Sequence, residues 1–129
     1  MTLGAPFDET ACSVAVDAAV ECGQPLAIAN VVELPPLPMS VRLGYDQIET
    51  PELEDALRSV AALAASCGVR VERLRVKSPR PVAALLELVD ELEPSLVVLG
   101  SDPSRVPRRR YRRAAAALRA VSRSLVWIP

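Results

Sequence analysis

What most constrains this chain is an alternation. Short, apolar, strand-length runs are separated by longer segments whose apolar residues recur at helical spacing. The clearest run is residues 26–34, LAIANVVEL. A nearly continuous apolar run of that length suits a strand buried on both faces, as inside a parallel sheet. Residues 96–99 and 125–128 are shorter runs of the same kind. Residues 69–76 alternate: Val69, Val71, Leu74 and Val76 are apolar, with arginines and Glu72 between them. That pattern predicts an edge strand with one polar face, and the one-residue slip between Val71 and Leu74 predicts a bulge. A weaker strand is expected over residues 3–7, broken by Gly4 and Pro6.

Helical segments fill the gaps. After Asp8, a candidate cap, Ala11, Val14, Ala15, Ala18, Ala19 and Cys22 repeat at helical spacing until Gly23 and Pro25 stop them. Thr50-Pro51-Glu52 opens a second helix whose inner face is Leu53, Ala56, Leu57, Val60, Ala61, Ala64 and Cys67, with Gly68 ending it. A third follows Ser78 and Pro79, with Val82, Leu85, Leu86, Val89 and Leu92 turned inward and Pro94 at its end. The fourth covers residues 109–122, with Tyr111, Ala114, Ala115, Leu118 and Val121 inward. The order β-α-β-α-β-α-β-α-β predicts an α/β fold with a parallel sheet and helices on both faces. At 129 residues the chain fits one domain. Between Pro35 and Thr50 lies a long connection carrying Met39, Leu43, Tyr45 and Ile48, suited to covering a pocket or joining an interface.

Composition narrows the chemistry. There is no histidine, so the commonest metal ligand and general base are absent. No catalytic residues and no metal ligands are assigned. Demanding catalysis is not expected, and Ser101 has no basic partner to make it a nucleophile. Aromatics are 3% of residues, too few for stacking single-stranded nucleic acid. The sequence has neither a membrane-length apolar run nor a signal peptide, so a soluble cytoplasmic protein is expected. Cys12, Cys22 and Cys67 lack CxxC spacing and read as reduced thiols acting as small buried hydrophobes rather than as a redox site.

Charge is strongly polarised along the chain. Residues 1–102 hold all 16 acids and 7 of the 15 basic residues, a net −9, whereas residues 103–129 hold 8 arginines and no acid. Six of those arginines lie in residues 105–113. Arginines at a helix start oppose the helix dipole by about 0.3–1 kcal/mol each. The bland reading is a solvated face, or pairing with the acidic remainder; it is preferred to an anion site. Specific nucleic-acid binding is not expected, since there is no recognition motif and the acidic majority would repel a duplex.

In an open α/β sheet, ligands sit beyond the carboxyl ends of the strands. Those ends offer Asp8, Val32 and its neighbours to Leu34, and Gly100-Ser101-Asp102, followed by Arg105, Arg108, Arg109 and Arg110. Asp8 is equally a helix cap and a ligand contact on this reading. Several pieces then fall in a telling order: PFDET before the Ala-rich helix, LAIANVVEL, GVRVERLRV, SLVVLGSD and the closing SLVWIP. In that order and spacing the chain resembles a universal stress protein domain over nearly its whole length.

The resemblance implies a Rossmann-like, adenine nucleotide alpha hydrolase-like fold. Its open parallel five-stranded sheet has order 3-2-1-4-5 and four flanking helices. It also implies a homodimer paired through the last strand, here Leu125, Val126, Trp127 and Ile128. Many members bind ATP, through an aspartate matched by Asp8 and a Gly-x-x-Gly-x9-Gly-Ser/Thr motif beginning at a position matched by Gly100. Here Pro103, Arg113 and Ala114 stand in the later motif positions, and no glycine follows Gly100. Proline removes an N–H donor, arginine blocks close backbone approach, and alanine lacks the hydroxyl. The expectation is therefore a non-enzymatic stress-response or signalling module, with ATP binding lost or weakened, no cofactor, and a protein partner. Two alternatives stand beside it. One is a nucleotide-binding switch or weak ATPase, in which Asp8, Val32, Gly100, Ser101, Arg105, Arg108 and Arg109 hold ATP or another adenine nucleotide. The other is a regulatory domain of a larger protein such as a transporter, for which the short first strand would be a sign of truncation.

Overall fold

Asp8 and Gly23 set the limits of the first helix. In the computed structural model, which describes residues 1–34, 51–121 and 123–129, α1 spans Glu9–Cys22. The Asp8 carboxylate accepts from the Ala11 N–H at 3.0 Å, filling one of the helix's orphan donors. Gly23 closes the other end at φ 63°, a left-handed conformation that costs a residue without Cβ little.

The remaining elements are β1 (Leu26–Glu33), α2 (Pro51–Ser66), β2 (Val71–Ser78), α3 (Pro81–Leu92), β3 (Leu96–Val98), α4 (Arg108–Val121) and β4 (Leu125–Trp127). The described residues thus form an α/β arrangement with four helices and parallel strand pairs. Pro51 and Pro81 each stand at a helix start, where the missing N–H has no partner to lose. The 35–50 segment, with Met39, Leu43, Tyr45 and Ile48, lies outside the described residues, as do Ser122 and the side chain of Val121.

β1 and β2 form one parallel ladder in unbroken register, from Leu26 opposite Val71 to Glu33 opposite Ser78. The expected bulge is therefore absent. Val71 shares a strand face with Arg75, which pairs with Glu54 of α2 at 2.9 Å. Leu74 shares the other face with Val76, which packs on the main core. The apolar slip reflects a strand covered on both faces rather than an inserted residue. β3 and β4 form the second parallel ladder, from Leu96 opposite Leu125 to Val98 opposite Trp127.

Residues 1–3 run between the two ladders. The Thr2 N–H donates to the Ala29 carbonyl at 2.8 Å, and the Val31 N–H donates to the Thr2 carbonyl at 2.9 Å. On the other side the Met1 ammonium donates to the Val98 carbonyl at 2.7 Å, and the Gly100 N–H donates to the Met1 carbonyl at 2.8 Å. The strand expected over residues 3–7 does not form. Pairing moves upstream to Thr2, the chain turns at Gly4 with φ 64°, and Phe7 meets Ser101 in an isolated antiparallel bridge. The positive φ at Gly4 and the missing N–H of Pro6 both interrupt a ladder.

The largest core cluster lies under α3 and α4. Leu85 and Val89 of α3 and Ala114 and Leu118 of α4 close over Val31, Val97 and Leu99. Leu92, expected inward, is 37% exposed at the end of α3. The three cysteines are free, but Cys22 and Cys67 are exposed and Cys12 is half-buried. The two exposed thiols stand at the ends of α1 and α2, where the last turn has few neighbours to cover it, so they are not small core hydrophobes. No described helix is long and apolar enough to cross a membrane.

Candidate functional site

The carboxyl ends of the strands bring together the loop after Thr2, the end of β1 and the segment from Gly100 to Arg110. Two stretches of backbone close on each other there. The Asp8 N–H donates to the Gly100 carbonyl at 2.9 Å and the Asp102 N–H donates to the Pro6 carbonyl at 3.1 Å. With the Gly100 N–H already bonded to Met1, two of the N–H groups that could face an anion are taken up within the chain. The Phe7 ring lies over Gly100 so closely that a Cβ built there would sit 2.7 Å from its Cδ1. Glycine is required at this strand end for an aromatic side chain to approach, whatever else it once accommodated.

Beneath this closure is a small buried polar network. Ser101 is 0% exposed; its Oγ accepts from the Leu3 N–H at 2.8 Å and lies 3.2 Å from Thr2 Oγ1. Thr2 Oγ1 donates its single proton to the Ala5 carbonyl at 2.5 Å, so across the 3.2 Å contact the donor is Ser101. Asn30, buried in the middle of β1, accepts from the Gly4 N–H through Oδ1 at 3.1 Å. These groups fix the turn at residues 3–5. Ser101 thus has a complete structural role.

The loop after Ser101 is organised by Asp102. Its carboxylate accepts from the Ser104 N–H at 2.8 Å and the Ser104 hydroxyl at 2.6 Å, and these bonds, with the nearby Arg105, hold its pKa below the ordinary carboxylate value. The arginines then divide. Arg105 pairs with Glu52 at the start of α2 at 3.4 Å, and Arg110 pairs with Glu33 at the end of β1, beside the half-buried Val32. Arg108 and Arg109 are exposed, and no partner holds either among the described residues. Of the sequence-predicted residues, Gly100, Ser101 and Asp8 are brought together but bonded to the chain itself. Val32 and Arg105 border them, and Arg108 and Arg109 face solvent.

The spacing of Tyr111 places it toward the core, and its ring does pack there. Its hydroxyl, however, is buried with no hydrogen-bond partner among the described residues. Burial first, and then the negative charge of Asp8, raises its pKa above the ordinary phenol value. Nothing in the local sequence marks that isolation. Asn30 did carry a signal, being, with Glu33, one of only two polar residues in the apolar run 26–34.

An apolar cavity of about 30 Å³ lies below the Phe7 ring, lined by Phe7, Ala11, Ala15, Ile28, Val60 and Val98 among others. That is room for one small molecule the size of water, in a lining that offers it little to bond with. A wider depression of about 290 Å³ opens at the opposite end, between Gly23 and Pro25 after α1 and Cys67 and Arg70 after α2. No cluster of potential metal ligands occurs among the described residues.

The model of the universal stress protein family matches residues 3–126 of the chain. Solved structures similar in fold include a universal stress protein family protein from Burkholderia pseudomallei at 20% identity, covering 99% of this chain and 93% of that one, TM-score 0.65. A universal stress protein in complex with cAMP is 23% identical, covering 99% and 93%, TM-score 0.63. A universal stress protein family protein from Arabidopsis thaliana with AMP bound is 15% identical, covering 91% and 76%, TM-score 0.52. At these identities the likeness is one of fold. No curated protein matches the chain.

Proposed function

The chain belongs to the universal stress protein family, and from that premise we propose that it is a non-enzymatic, cytoplasmic stress-response module of the subgroup in which ATP binding is lost or weakened. One observation carries this reading: the strand end at Gly100 is closed by its own chain. A phosphate cradle needs free backbone N–H groups and an open approach. Here the Gly100 and Asp102 N–H groups are bonded to carbonyls, the Phe7 ring covers the glycine, and Asp8 spends its carboxylate on Ala11. Pro103, Arg113 and Ala114 point the same way from the sequence.

The same reading takes residues 1–3 as the central strand joining the two ladders into one five-stranded sheet of order 3-2-1-4-5, in a single domain over residues 1–129. Hydrogen bonds from Met1 and Thr2 to both sides support it. It also takes the free edge of β4 as a dimer seam with a second copy. Leu125 is 76% exposed there, beside the half-buried Val126, Trp127 and Ile128. Such an edge is a template for strand pairing. A signalling role would add a protein partner.

A second reading, a nucleotide switch, is favoured by Arg108 and Arg109, two exposed guanidinium groups at a helix N-terminus with no partner among the described residues. Solved relatives in complex with cAMP or AMP lend it a ligand class. Calorimetric titration with ATP, ADP, AMP and cAMP at low and at physiological salt separates the two. The proposed function predicts no heat at physiological salt. Micromolar binding that survives physiological salt and is abolished by Arg108→Ala with Arg109→Ala would establish the switch instead. Binding confined to low salt would mark a nonspecific basic patch.

A further inference from the structure

Helices α3 and α4 lie side by side over the same core and pack against each other. α4 returns between the parallel strands β3 and β4, and α3 runs from β2 to β3, whose ladders the parallel Thr2–Asn30 bridge and the Met1 bonds to Val98 and Gly100 align, so the two helices run in the same direction. Their exposed faces carry opposite charge at opposite ends. On α3 the acids come late: Glu87, Asp90 and Glu91, with Glu93 at the cap, all exposed. On α4 the arginines come early: Arg108, Arg109, Arg112 and Arg113, all exposed. No ion pair links the two sets, and none of these eight residues has a partner among the described residues. A 12-residue helix is about 18 Å long, so charges at opposite ends of neighbouring parallel helices do not reach each other.

Both helices also defy their dipoles. The last turn of α3 has no base, and the first turn of α4 has no acid. Each pole is therefore strengthened by the helix end beneath it, at a cost to the isolated protomer. A two-fold axis perpendicular to the helices reverses their direction. It brings the acidic end of one protomer's α3 to the same end of the contact as the basic end of the other's α4, on the diagonally adjacent helix, twice over, and an isologous contact of this kind is self-complementary. Exposed Ala116 and Ala120 leave α4 low beyond its first arginines, with the exposed Arg119 the next charge on the helix, and the exposed Leu92 offers an apolar contact at the end of α3.

We infer that the α3–α4 face is a self-association surface, docking a second copy of this chain in antiparallel fashion through the α3 acids and the α4 arginines. A patch two helices wide and about 18 Å long gives roughly 400 Å² per protomer, below the ~800 Å² of a stable interface. The association is accordingly transient and salt-sensitive. It is distinct from the strand pairing proposed at β4, whose apolar contact predicts no weakening by salt.

The test is sedimentation velocity of the full chain at 25 and 300 mM salt, in a Leu125→Gln background to remove the β4 edge. The expected result is self-association that weakens about tenfold or more at the higher salt. Glu87→Lys with Glu91→Lys abolishes it, as does Arg109→Glu with Arg113→Glu, while a mixture of the two variants associates with each other. Circular dichroism verifies folding, and the neutral pair Glu87→Gln with Glu91→Gln, expected to weaken association, replaces any reversal that fails to fold. A chain that stays monomeric at 25 mM salt overturns the proposal, as do reversed variants that do not associate when mixed. Binding of heparin by a chain that remains monomeric would overturn it too, assigning the arginines to a polyanion.

Discussion

Replacing Ser101 by alanine separates a structural serine from a ligand-binding one. The hydroxyl accepts from the Leu3 N–H at 2.8 Å and donates to Thr2 Oγ1 at 3.2 Å, in a site with no exposure to solvent. Ser101→Ala leaves the Leu3 N–H buried without a partner. Thr2 keeps its bond to the Ala5 carbonyl. An orphaned buried donor costs about 1–3 kcal/mol, so the loss centres on about 2 kcal/mol. Unfolding entropy near 2.1 cal/mol/K per residue makes that roughly 7 °C of Tm for 129 residues. Urea unfolding and thermal melting followed by circular dichroism read both quantities, without nucleotide present. Thr2→Val removes the other side of the contact, and the double variant should cost less than the two singles summed, by about 0.5 kcal/mol or more. A Ser101→Ala chain within about 0.5 kcal/mol of the parent would refute the reasoning, because so small an effect is typical of a surface substitution.

Three further outcomes follow from single side chains. Asp8→Ala should cost about 1 kcal/mol through the lost cap, and Asp8→Asn almost nothing, since asparagine caps equally well; equal losses in urea unfolding would mean the charge matters, not the cap. Tyr111→Phe should leave stability unchanged or raise it, as it removes a buried hydroxyl that has no partner; a loss above about 1 kcal/mol would show that the hydroxyl is bonded. The buried Met1 ammonium has its pKa lowered from 8.0 to about 6 by desolvation. The unfolded chain therefore takes up a proton between pH 8 and 6 that the folded chain refuses, and stability falls as pH falls through that window by about 2 kcal/mol. No histidine titrates there to obscure it. Flat stability from pH 8 to 6 would contradict the burial.

Elements with a local cause were readable in the sequence. Asp8 and Gly23 delimit α1 because a cap and a left-handed turn need only their own side chains. The LAIANVVEL run announced a buried strand because its covering on both faces is written in its composition. What escaped depends on distant partners. A segment of three residues has no period, so nothing marked residues 1–3 as the pairing segment in place of residues 3–7. The slip in β2 looked like a bulge because one apolar stripe was assumed where two faces are covered. Leu92, Cys22 and Cys67 were assigned inward by phase, yet phase does not tell where a helix outruns its cover. At the candidate site, the strand end at Gly100 was legible, but its closure by Phe7 and the pairing of Arg105 with Glu52 and Arg110 with Glu33 join residues far apart in the chain.

The stitching of the two ladders by residues 1–3 also orders events in time. The Thr2–Asn30 bridge closes a short loop, whereas the Met1–Val98 bond spans 97 residues. Loop-closure entropy grows only logarithmically, so the longer closure costs about 1 kcal/mol more. Its delay is set by something else: β3 must exist before Met1 has anything to bond. On the ribosome these residues emerge before β1 and β3 and acquire their last partners only after the segment through Gly100 has followed them out. Until then residues 1–3 are paired with β1 on one side and open on the side that Val98 and Gly100 will fill. Residues made early are thus among the last secured, and the joint between halves is where a growing chain is most exposed to pairing with a neighbour.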